Sequence, residues 1–341
     1  MPRDIRPRTV ALPCELMHRL AATFAALAVL LLPAAALAHA GEQHPEDLAD
    51  HWWDAWSFSP LELAPFLVVG VLYGIRARHV GPRLEAWRVV SFYAGLGIAV
   101  VSIVSPIDVI AEEGLFSVHM LQHALLGGIS PLLVVLGITG PVLRPLIQYR
   151  VIRQLQVLSH PAIALPLWVA VFVFWHLPPI YDLGVENELA HVVEHATFFA
   201  TTALVWMSVV EPLPGPRWFG TGAKIGYLAA FWFVGLLIVN VFWFSGTAFY
   251  ERYEDTAPAW GVSALQDQAN AGSIFMAEHM LIVLTALVVL AVRASREGAL
   301  RQALLEHGVE RQKVLQAVRY GRAAELAEQV GASTRTRAGI D

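Results

Sequence analysis

The chain contains the stretch FSVHMLQHALLGGISPLLVVLGI at residues 116–138. Its first third holds His119 and His123, and from residue 124 onward only Ser130 has a polar side chain. An apolar run of this length is typical of a membrane-spanning helix. Residues four apart lie on one face of a helix, so both imidazoles are expected to face the same side near one end of the span. Ionisable groups in a span indicate a functional site.

The composition indicates that much of the chain is embedded in a membrane. Hydrophobic residues make up 56% of the 341 residues and charged residues only 15%, which excludes an ordinary soluble globular protein. The lipid bilayer is therefore an expected partner, and the net charge of -5 does not indicate nucleic acid. Seven apolar stretches predict an all-α, polytopic transmembrane helix bundle; they cover residues 61–76, 89–105, 118–138, 162–177, 190–210, 226–245 and 272–292.

The first forty residues have the pattern of a signal peptide. Arginines precede an apolar run over residues 20–37, and Ala36-Leu37-Ala38 matches a cleavage signal. We expect residues 1–38 to be removed; an uncleaved first span is the alternative. His39, His44 and His51 then lie in an acidic, Trp-rich segment at 39–60, which either captures metal or lies at the membrane interface. Cys14 is the only cysteine, so a cysteine-rich metal site is excluded.

Lysine and arginine residues are distributed unevenly between the loops. After the signal segment they cluster at residues 76–88, 144–153, 217–224 and 293–337, and only Arg252 lies in the alternate loops. Since positive residues stay on the cytoplasmic side, we expect a protein of the bacterial cell (inner) membrane with its mature N-terminus outside and its C-terminus cytoplasmic. The seven-helix domain then covers residues 61–292, and residues 293–341 form a cytoplasmic, partly helical tail.

Histidines from four spans fall at the outer end in this topology, and two of these spans use the same four-residue spacing. We predict that they form a metal site, with interhelical hydrogen bonds as the alternative role. Imidazole with thioether suits copper, whereas imidazole with carboxylate suits zinc or iron equally. The candidate ligands are His119, His123, His191 and His195, with His176, Met276 and His279 (one turn into the seventh span) as lesser candidates.

Acidic residues near the same end could support such ligands by accepting hydrogen bonds from the ring N–H groups. The candidates are Asp108, Asp182, Asp267 and Glu194. Loop charges and helix caps are the alternative roles. Glu194 and Glu278 each directly precede a histidine, so they could also be ligands.

At these residues the sequence resembles the CtaG family of bacterial membrane proteins, the assembly factors of caa3-type cytochrome c oxidase. The resemblance covers about residues 60 to 292, and one departure is that Phe275-Met276-Ala277 stands where a Met-Trp pair is expected. The matching motifs, in the family's order, are Ser105-Pro106-Ile107-Asp108, His119-Met120-Leu121-Gln122-His123, Trp175-His176-Leu177-Pro178, Tyr181-Asp182, His191-Val192-Val193-Glu194-His195, Trp206, and Asp267-Gln268 before Gly272.

The resemblance implies a role in maturing a haem-copper oxidase by handling copper on the outer side of the membrane. The leading hypothesis is a non-enzymatic assembly factor that holds copper at the histidine cluster and passes it to a cytochrome c oxidase subunit. A membrane haem-binding redox protein, with the same histidines as axial ligands, is the main alternative. A metal-dependent membrane hydrolase is disfavoured because the sequence contains no nucleophile motif. A copper importer is disfavoured because no path of histidines or methionines continues through the inner half of the membrane.

Overall fold

The computed structural model describes residues 45–332 apart from residues 57 and 59, and every regular element in this part of the chain is a helix. The predicted all-α fold is confirmed. The predicted signal peptide, with Cys14, and the residues His39 and His44 lie outside the described residues. The α-helices are α1 Pro45–His51, α2 Pro60–Val80, α3 Ala86–Val104, α4 Pro106–Glu113, α5 Phe116–His123, α6 Ser130–Gly137, α7 Gly140–Ile147, α8 Arg150–Leu155, α9 Pro161–Trp175, α10 Pro178–Glu186, α11 Glu188–Val210, α12 Thr221–Phe244, α13 Arg252–Thr256, α14 Ala264–Glu306, α15 Arg311–Arg319 and α16 Ala323–Gln329.

The predicted spans correspond to helices of the bundle. Helices α9 and α10 form one apolar pair that is bent by 77°, because Pro178 and Pro179 follow the end of α9 and proline cannot continue a helix. Counted as one broken span, this pair completes the predicted seven. The other six spans of the described chain are Leu63–Arg83, Ala86–Val104, Phe116–Gly137, Glu188–Val210, Thr221–Phe244 and Ala264–Glu306.

The third span is not a uniform α-helix. Helix α5 ends at His123, residues Ala124–Ile129 form a π-helical turn, and α6 continues from Ser130. Gly127 and Gly128 lie in this turn, and a Cβ atom on Gly127 would lie 3.2 Å from Phe198. Such turns are frequent at functional sites, and this one directly follows the second histidine of the span.

The seventh span is longer than its apolar stretch. Helix α14 has 43 residues, whereas the sequence predicts a span over 272–292. Ser263 accepts a hydrogen bond from the N–H of Gln266 at 3.2 Å, a favourable arrangement at a helix start. At about 1.5 Å per residue, α14 is about twice as long as a bilayer core is thick, so it continues beyond the membrane.

The core of the bundle is aromatic. Phe116, Trp206 and Phe231 are buried in one apolar cluster that joins the third to seventh spans. In contrast, many apolar side chains on the outside of the bundle are exposed, such as Val90 and Leu281. Large exposed apolar surfaces are unfavourable in water, so these faces contact lipid.

Odd-numbered spans run in the same direction. Helices α5, α11 and α14 therefore begin at one end of the bundle, which we call the histidine end. Asp267 near the start of α14 accepts a hydrogen bond from the N–H of Phe116 at the start of α5, so the two helices also begin at the same height. The loops between α7 and α9 and between α11 and α12 lie at the opposite end.

The C-terminal helices pack on the end of α14 at that opposite end. Leu304 of α14, Val314 of α15 and Leu326 of α16 are buried in a small apolar cluster separate from the main core. Burying these side chains on one another stabilises the three helices as a unit. The tail, predicted to be partly helical, therefore folds onto the continuation of the last span.

A group of charges joins this tail to the bundle; we call Glu211, Lys224 and Arg319 the ion cluster. Glu211 ends α11 in a left-handed conformation, with a φ of 52°. Its carboxylate lies 3.0 Å from Nζ of Lys224 and 3.0 Å from Nη2 of Arg319. Lys224 also donates to the Val209 carbonyl at 2.6 Å, and Arg319 donates to the Pro216 carbonyl at 3.0 Å. Each charge in this cluster therefore has partners.

Candidate metal centre

Helix α5 carries His119 and His123 on its buried face. Their ring centroids are 4.3 Å apart, and their exposed fractions are 0% and 7%. The start of the helix is capped by Asp267, which accepts hydrogen bonds from the N–H groups of Phe116 at 2.7 Å and Ser117 at 3.1 Å. A carboxylate at a helix N-terminus is stabilising. This cap fixes the position of both imidazoles relative to α14.

Helix α11 brings a second group to the same place. His191, Glu194 and His195 share one face because they are three and four residues apart. The ring of His191 lies 6.1 Å from that of His119, and the ring of His195 lies 5.3 Å from that of His123. The structure thus brings together both histidine pairs that the sequence singled out. We call these four histidines and Glu194 the cage.

Glu194 lies between the two histidines of α5. Its Oε1 atom is 3.7 Å from Nε2 of His123 and 4.0 Å from Nε2 of His119, which is too long for hydrogen bonds. Two ligands that are each about 2.1 Å from one metal ion stand about 3.4 Å apart in a tetrahedron and about 4.2 Å apart when opposite. The three residues can each offer one atom such that all lie within 4.8 Å of one another. The spacing therefore fits a shared ion.

The polar atoms of the cage are largely unpaired. Both ring nitrogens of His119 and His123, both carboxylate oxygens of Glu194, and Nε2 of His191 and His195 are buried without a hydrogen-bond partner among the described residues. Buried polar groups are normally hydrogen-bonded, and unpaired ionisable groups are unfavourable in a membrane. The cage therefore has the properties of a ligand site more than those of a packing contact.

His176 lies beside the cage, immediately after the end of α9. Its Nδ1–H group donates to the Phe172 carbonyl at 2.8 Å, since a carbonyl can only accept. The lone pair of the neutral ring is then on Nε2, which is buried without a partner in the described chain. The His176 and His123 rings are 6.4 Å apart. His176 is thus available as a further ligand at the bend between α9 and α10.

Gly184 of α10 provides the space for the Glu194 carboxylate. A Cβ atom at this position would lie 2.8 Å from Oε2 of Glu194, closer than a favourable nonbonded contact. Helix α10 reaches this position because of the 77° bend that precedes it. The bend therefore places a glycine where a side chain would displace the carboxylate.

His279 and Met276 are separate from the cage. Because α14 begins at Ala264, His279 lies about 22 Å along the helix from its start, and not one turn into it as predicted. Its Nε2–H donates to the Phe231 carbonyl at 3.2 Å, and its ring stacks on Phe275. Met276 packs against the apolar core. Neither side chain is part of the cage.

The acidic residues predicted to support the ligands have different positions. Asp267 caps α5 and accepts from its backbone, not from an imidazole. Asp108 accepts a hydrogen bond from Nε2 of Gln122 at 2.6 Å. Asp182 is only partly buried, and it has no hydrogen bond to a histidine ring in the part of the chain that the structure describes. Glu194, predicted as a supporting acid, lies inside the cage.

Glu112 was not predicted as a site residue. Its Oε1 atom lies 2.8 Å from Nδ1 of His191, a hydrogen-bonding distance. A signal was present in the sequence, because Asp108 and Glu112 are four residues apart and share one face of α4. One of these acids contacts α5 through Gln122, and the other contacts α11.

Tyrosines cover the cage at the histidine end. The hydroxyls of Tyr181 and Tyr253 share a hydrogen bond of 2.6 Å, and Tyr253 donates to a carbonyl at the end of α4 at 2.9 Å. Tyr250 donates to the carbonyl of His176 at 3.0 Å. Burial raises the pKa of the Tyr253 hydroxyl, so it stays a neutral donor. These bonds hold the segment between α12 and α14 over the site.

A cavity of about 30 Å³ lies next to His123 on the side toward the middle of the bundle. Glu278 and His279 contribute to its lining, together with aromatic side chains. A cavity of this size holds one or two water molecules. A Cβ atom at Gly128, in the π-helical turn, would collide with the Glu278 carboxylate. The glycine therefore makes room for an acid below the cage.

Comparison with protein families agrees with this geometry. The family model described as cytochrome c oxidase caa3 assembly factor (Caa3_CtaG) matches residues 69–297, which include the whole cage. The chain belongs to this family. The resemblance inferred from the sequence is confirmed, and the six long apolar helices with the bent pair indicate a membrane protein.

Curated relatives of the chain include three proteins from mycobacteria. Uncharacterized proteins of Mycobacterium bovis and Mycobacterium tuberculosis are each 27% identical to it over 266 residues, which cover 71% of this chain and 40% of the relative. One of Mycobacterium leprae is 25% identical over 271 residues, covering 72% and 40%. The chain thus spans about 40% of the length of these relatives. No solved structure matches the chain.

Proposed function

We propose that this protein takes part in assembling a caa3-type cytochrome c oxidase: it binds copper as a cargo in the cage and delivers it to an oxidase subunit, without catalysing a reaction itself. The observation that carries the proposal is the convergence of His119, His123 and Glu194 from two spans, with ligand atoms close together and otherwise unpaired. His191 and His195 complete the set. The family's role in assembling a haem-copper oxidase supports copper as the metal.

The donor atoms favour divalent copper. The cage offers imidazoles and one carboxylate, whereas Met276, the predicted thioether ligand, packs in the apolar core. Thioether and thiolate ligands select Cu(I), and imidazole and carboxylate suit Cu(II), which also binds most tightly among divalent first-row ions. Zinc accepts the same ligands. Zinc is therefore the metal against which copper must be compared.

The distribution of charge supports delivery on the outer side of the membrane. The loops opposite the histidine end carry nearly all lysines and arginines, so we place them and the tail at 293–341 in the cytoplasm. The cage then lies near the outer leaflet, and after cleavage the segment 39–60 is outside. A cargo near the membrane surface can be exchanged with a partner more readily than one at the midplane.

The geometry gives no support to the haem alternative. Rings on neighbouring spans are close enough to share an ion, as the 5.3 Å between His123 and His195 shows. A small cation fits this space without moving helices apart.

Metal analysis of the purified protein tests the proposal. Protein from copper-replete cells, purified in detergent, is expected to contain a stoichiometric amount of copper, and His119→Ala/His123→Ala to lose it. The control His79→Ala/His307→Ala removes two exposed imidazoles and should retain copper. Zinc instead of copper, a Soret band in the visible spectrum, or copper retained in the first double variant would contradict the proposal.

A further inference from the structure

We propose that Glu112 is a positioning residue for the cage: it orients the His191 ring so that the Nε2 atom faces the metal. This inference rests on the proposed copper binding. Glu112 belongs to α4, which lies outside the membrane-spanning segments and carries no histidine. Because this helix carries no histidine, Glu112 acts on the metal site through the His191 ring that it contacts.

The hydrogen bond to Glu112 determines which nitrogen of His191 can bind a metal. The carboxylate Oε1 is 2.8 Å from Nδ1, and because a carboxylate accepts, the ring proton lies on Nδ1. The lone pair of the neutral ring is then on Nε2, which is buried without a partner among the described residues. Histidines that bind metals commonly donate their other N–H group to a carboxylate, which fixes the ring and increases its basicity.

Helix α4 contacts both helices that carry the cage. Asp108, one turn before Glu112, accepts a hydrogen bond from Gln122 of α5 at 2.6 Å, while Glu112 contacts His191 of α11. Both acids lie on one face because they are four residues apart. Pro106 occupies the first turn, where its fixed φ favours the helix. One short helix thus sets the spacing of the two histidine pairs.

The pair of His191 and Glu112 is less deeply buried than the centre of the cage. The side chains of His191 and Glu112 are 11% and 19% exposed, whereas those of His119 and Glu194 are 0% and 1% exposed. The hydrogen bond to Glu112 therefore constrains a ring that packing encloses less completely than it encloses His119.

A substitution series at residue 112 tests this role. Glu112→Leu removes the acceptor and is expected to weaken copper binding about 10- to 100-fold. Glu112→Gln keeps an acceptor oxygen and is expected to lose less than Glu112→Leu. Glu113→Leu is the matched control, since the neighbouring acid is also partly buried and its side chain has no polar contact among the described residues. Copper affinity is measured by competition with a chelator of known affinity.

A double-mutant cycle separates positioning from a general structural effect. In a His191→Ala background, Glu112→Leu is expected to cause no further loss of copper affinity, because the proposed role of Glu112 is exerted through that ring. Copper(II) electron paramagnetic resonance should show the same change in nitrogen coupling for Glu112→Leu and His191→Ala. Glu112→Gln provides the comparison if the leucine variant fails to fold.

Different results would refute the two proposals. A wild-type protein without copper overturns the proposed function and this inference with it. Copper bound equally well by wild type and Glu112→Leu overturns the inference alone. A loss of equal size in the presence and absence of His191 also overturns the inference, because the glutamate would then act by another route.

Discussion

Each end of the bundle contains a glutamate with charged or ionisable neighbours, but the two glutamates differ in whether their carboxylate oxygens have close partners. Glu211 in the ion cluster is paired with Lys224 and Arg319 at 3.0 Å each. Both carboxylate oxygens of Glu194 in the cage lack a hydrogen-bond partner among the described residues, and the nearest ring nitrogen to Oε1 is that of His123 at 3.7 Å. A paired charge is a structural contact, whereas an unpaired one in an apolar region is unfavourable until it binds a proton or a cation. Whether the carboxylate oxygens have hydrogen-bond partners, more than how deeply they are buried, thus distinguishes a ligand site from a structural contact.

Acidification should affect the cage and spare the ion cluster. Copper binds neutral imidazole and competes with protons for it, so acid weakens binding. Each ligand ring that takes up a proton is lost to the metal, and copper affinity is therefore expected to be lower at pH 5.5 than at pH 7.5. The ion cluster contains no imidazole, so it has no histidine to protonate in this range. Copper retained after dialysis at each pH measures the effect, and retention at pH 5.5 equal to that at pH 7.5 would contradict it.

Glu211→Ala should affect the protein in the opposite way, by lowering stability and leaving copper in place. Removing one partner of a buried ion pair costs about 3 to 5 kcal/mol. The Glu211 and Arg319 side chains are 17% and 23% exposed, so we expect about 2 to 3 kcal/mol here. The melting temperature in detergent and the copper content of the folded fraction are the measurements. Loss of copper from folded Glu211→Ala would show that the two ends are coupled.

Gly184→Ala should weaken the cage without removing a ligand. The added Cβ atom would lie 2.8 Å from Oε2 of Glu194, so the carboxylate must shift by several tenths of an ångström. A displaced ligand of this kind is expected to reduce copper affinity about tenfold. Gly222→Ala in α12 is the control, because in the described part of the chain no neighbouring side chain or helix lies within 4 Å of its added Cβ atom. Equal copper affinities for the two variants would argue against Glu194 as a ligand.

Met276→Leu should have the smallest effect. Met276 packs against the apolar core, and a swap between these similarly sized side chains usually costs less than about 1.5 kcal/mol. Copper affinity is therefore expected to stay close to that of the wild type in the same competition assay. A clear loss of affinity would return Met276 to the ligand set and would weaken the argument for divalent copper.

The spans could be predicted from the sequence because lipid contact imposes long apolar stretches, such as residues 226–245, that are visible without any tertiary information. The ends of the spans could not. Gln266, Asp267 and Gln268 resemble loop residues by composition, yet they lie in the first turns of α14. Their side chains contact distant residues, as when Asp267 caps a helix 151 residues earlier in the chain. The position of His279 was misjudged for the same reason.

The cage was partly predictable because a four-residue spacing places two rings on one helix face whatever the tertiary structure. That α5 and α11 pack near each other could be anticipated only from the topology, which places the first residues of both helices at the histidine end of the bundle. The place of Glu194 between His119 and His123 depends on helix packing and on the room left by Gly184. Glu112 lies in a different helix from its partner, so no local pattern connects the two.

The π-helical turn at Ala124–Ile129 divides its span into two α-helical parts. It changes the direction in which the side chains of one part point around the helix axis relative to those of the other part. A π-helical turn holds one residue more than an α-helical turn, so it resembles an insertion that the helix absorbs without a loop. A chain one residue shorter here would form a continuous α-helix and turn the lower half by about 100°. Ser130, which now donates to the Gly95 carbonyl at 2.8 Å, would lose that acceptor. In related chains, the positions of the histidines in α5, before the turn, can therefore change without altering how α6, after the turn, packs on its neighbours.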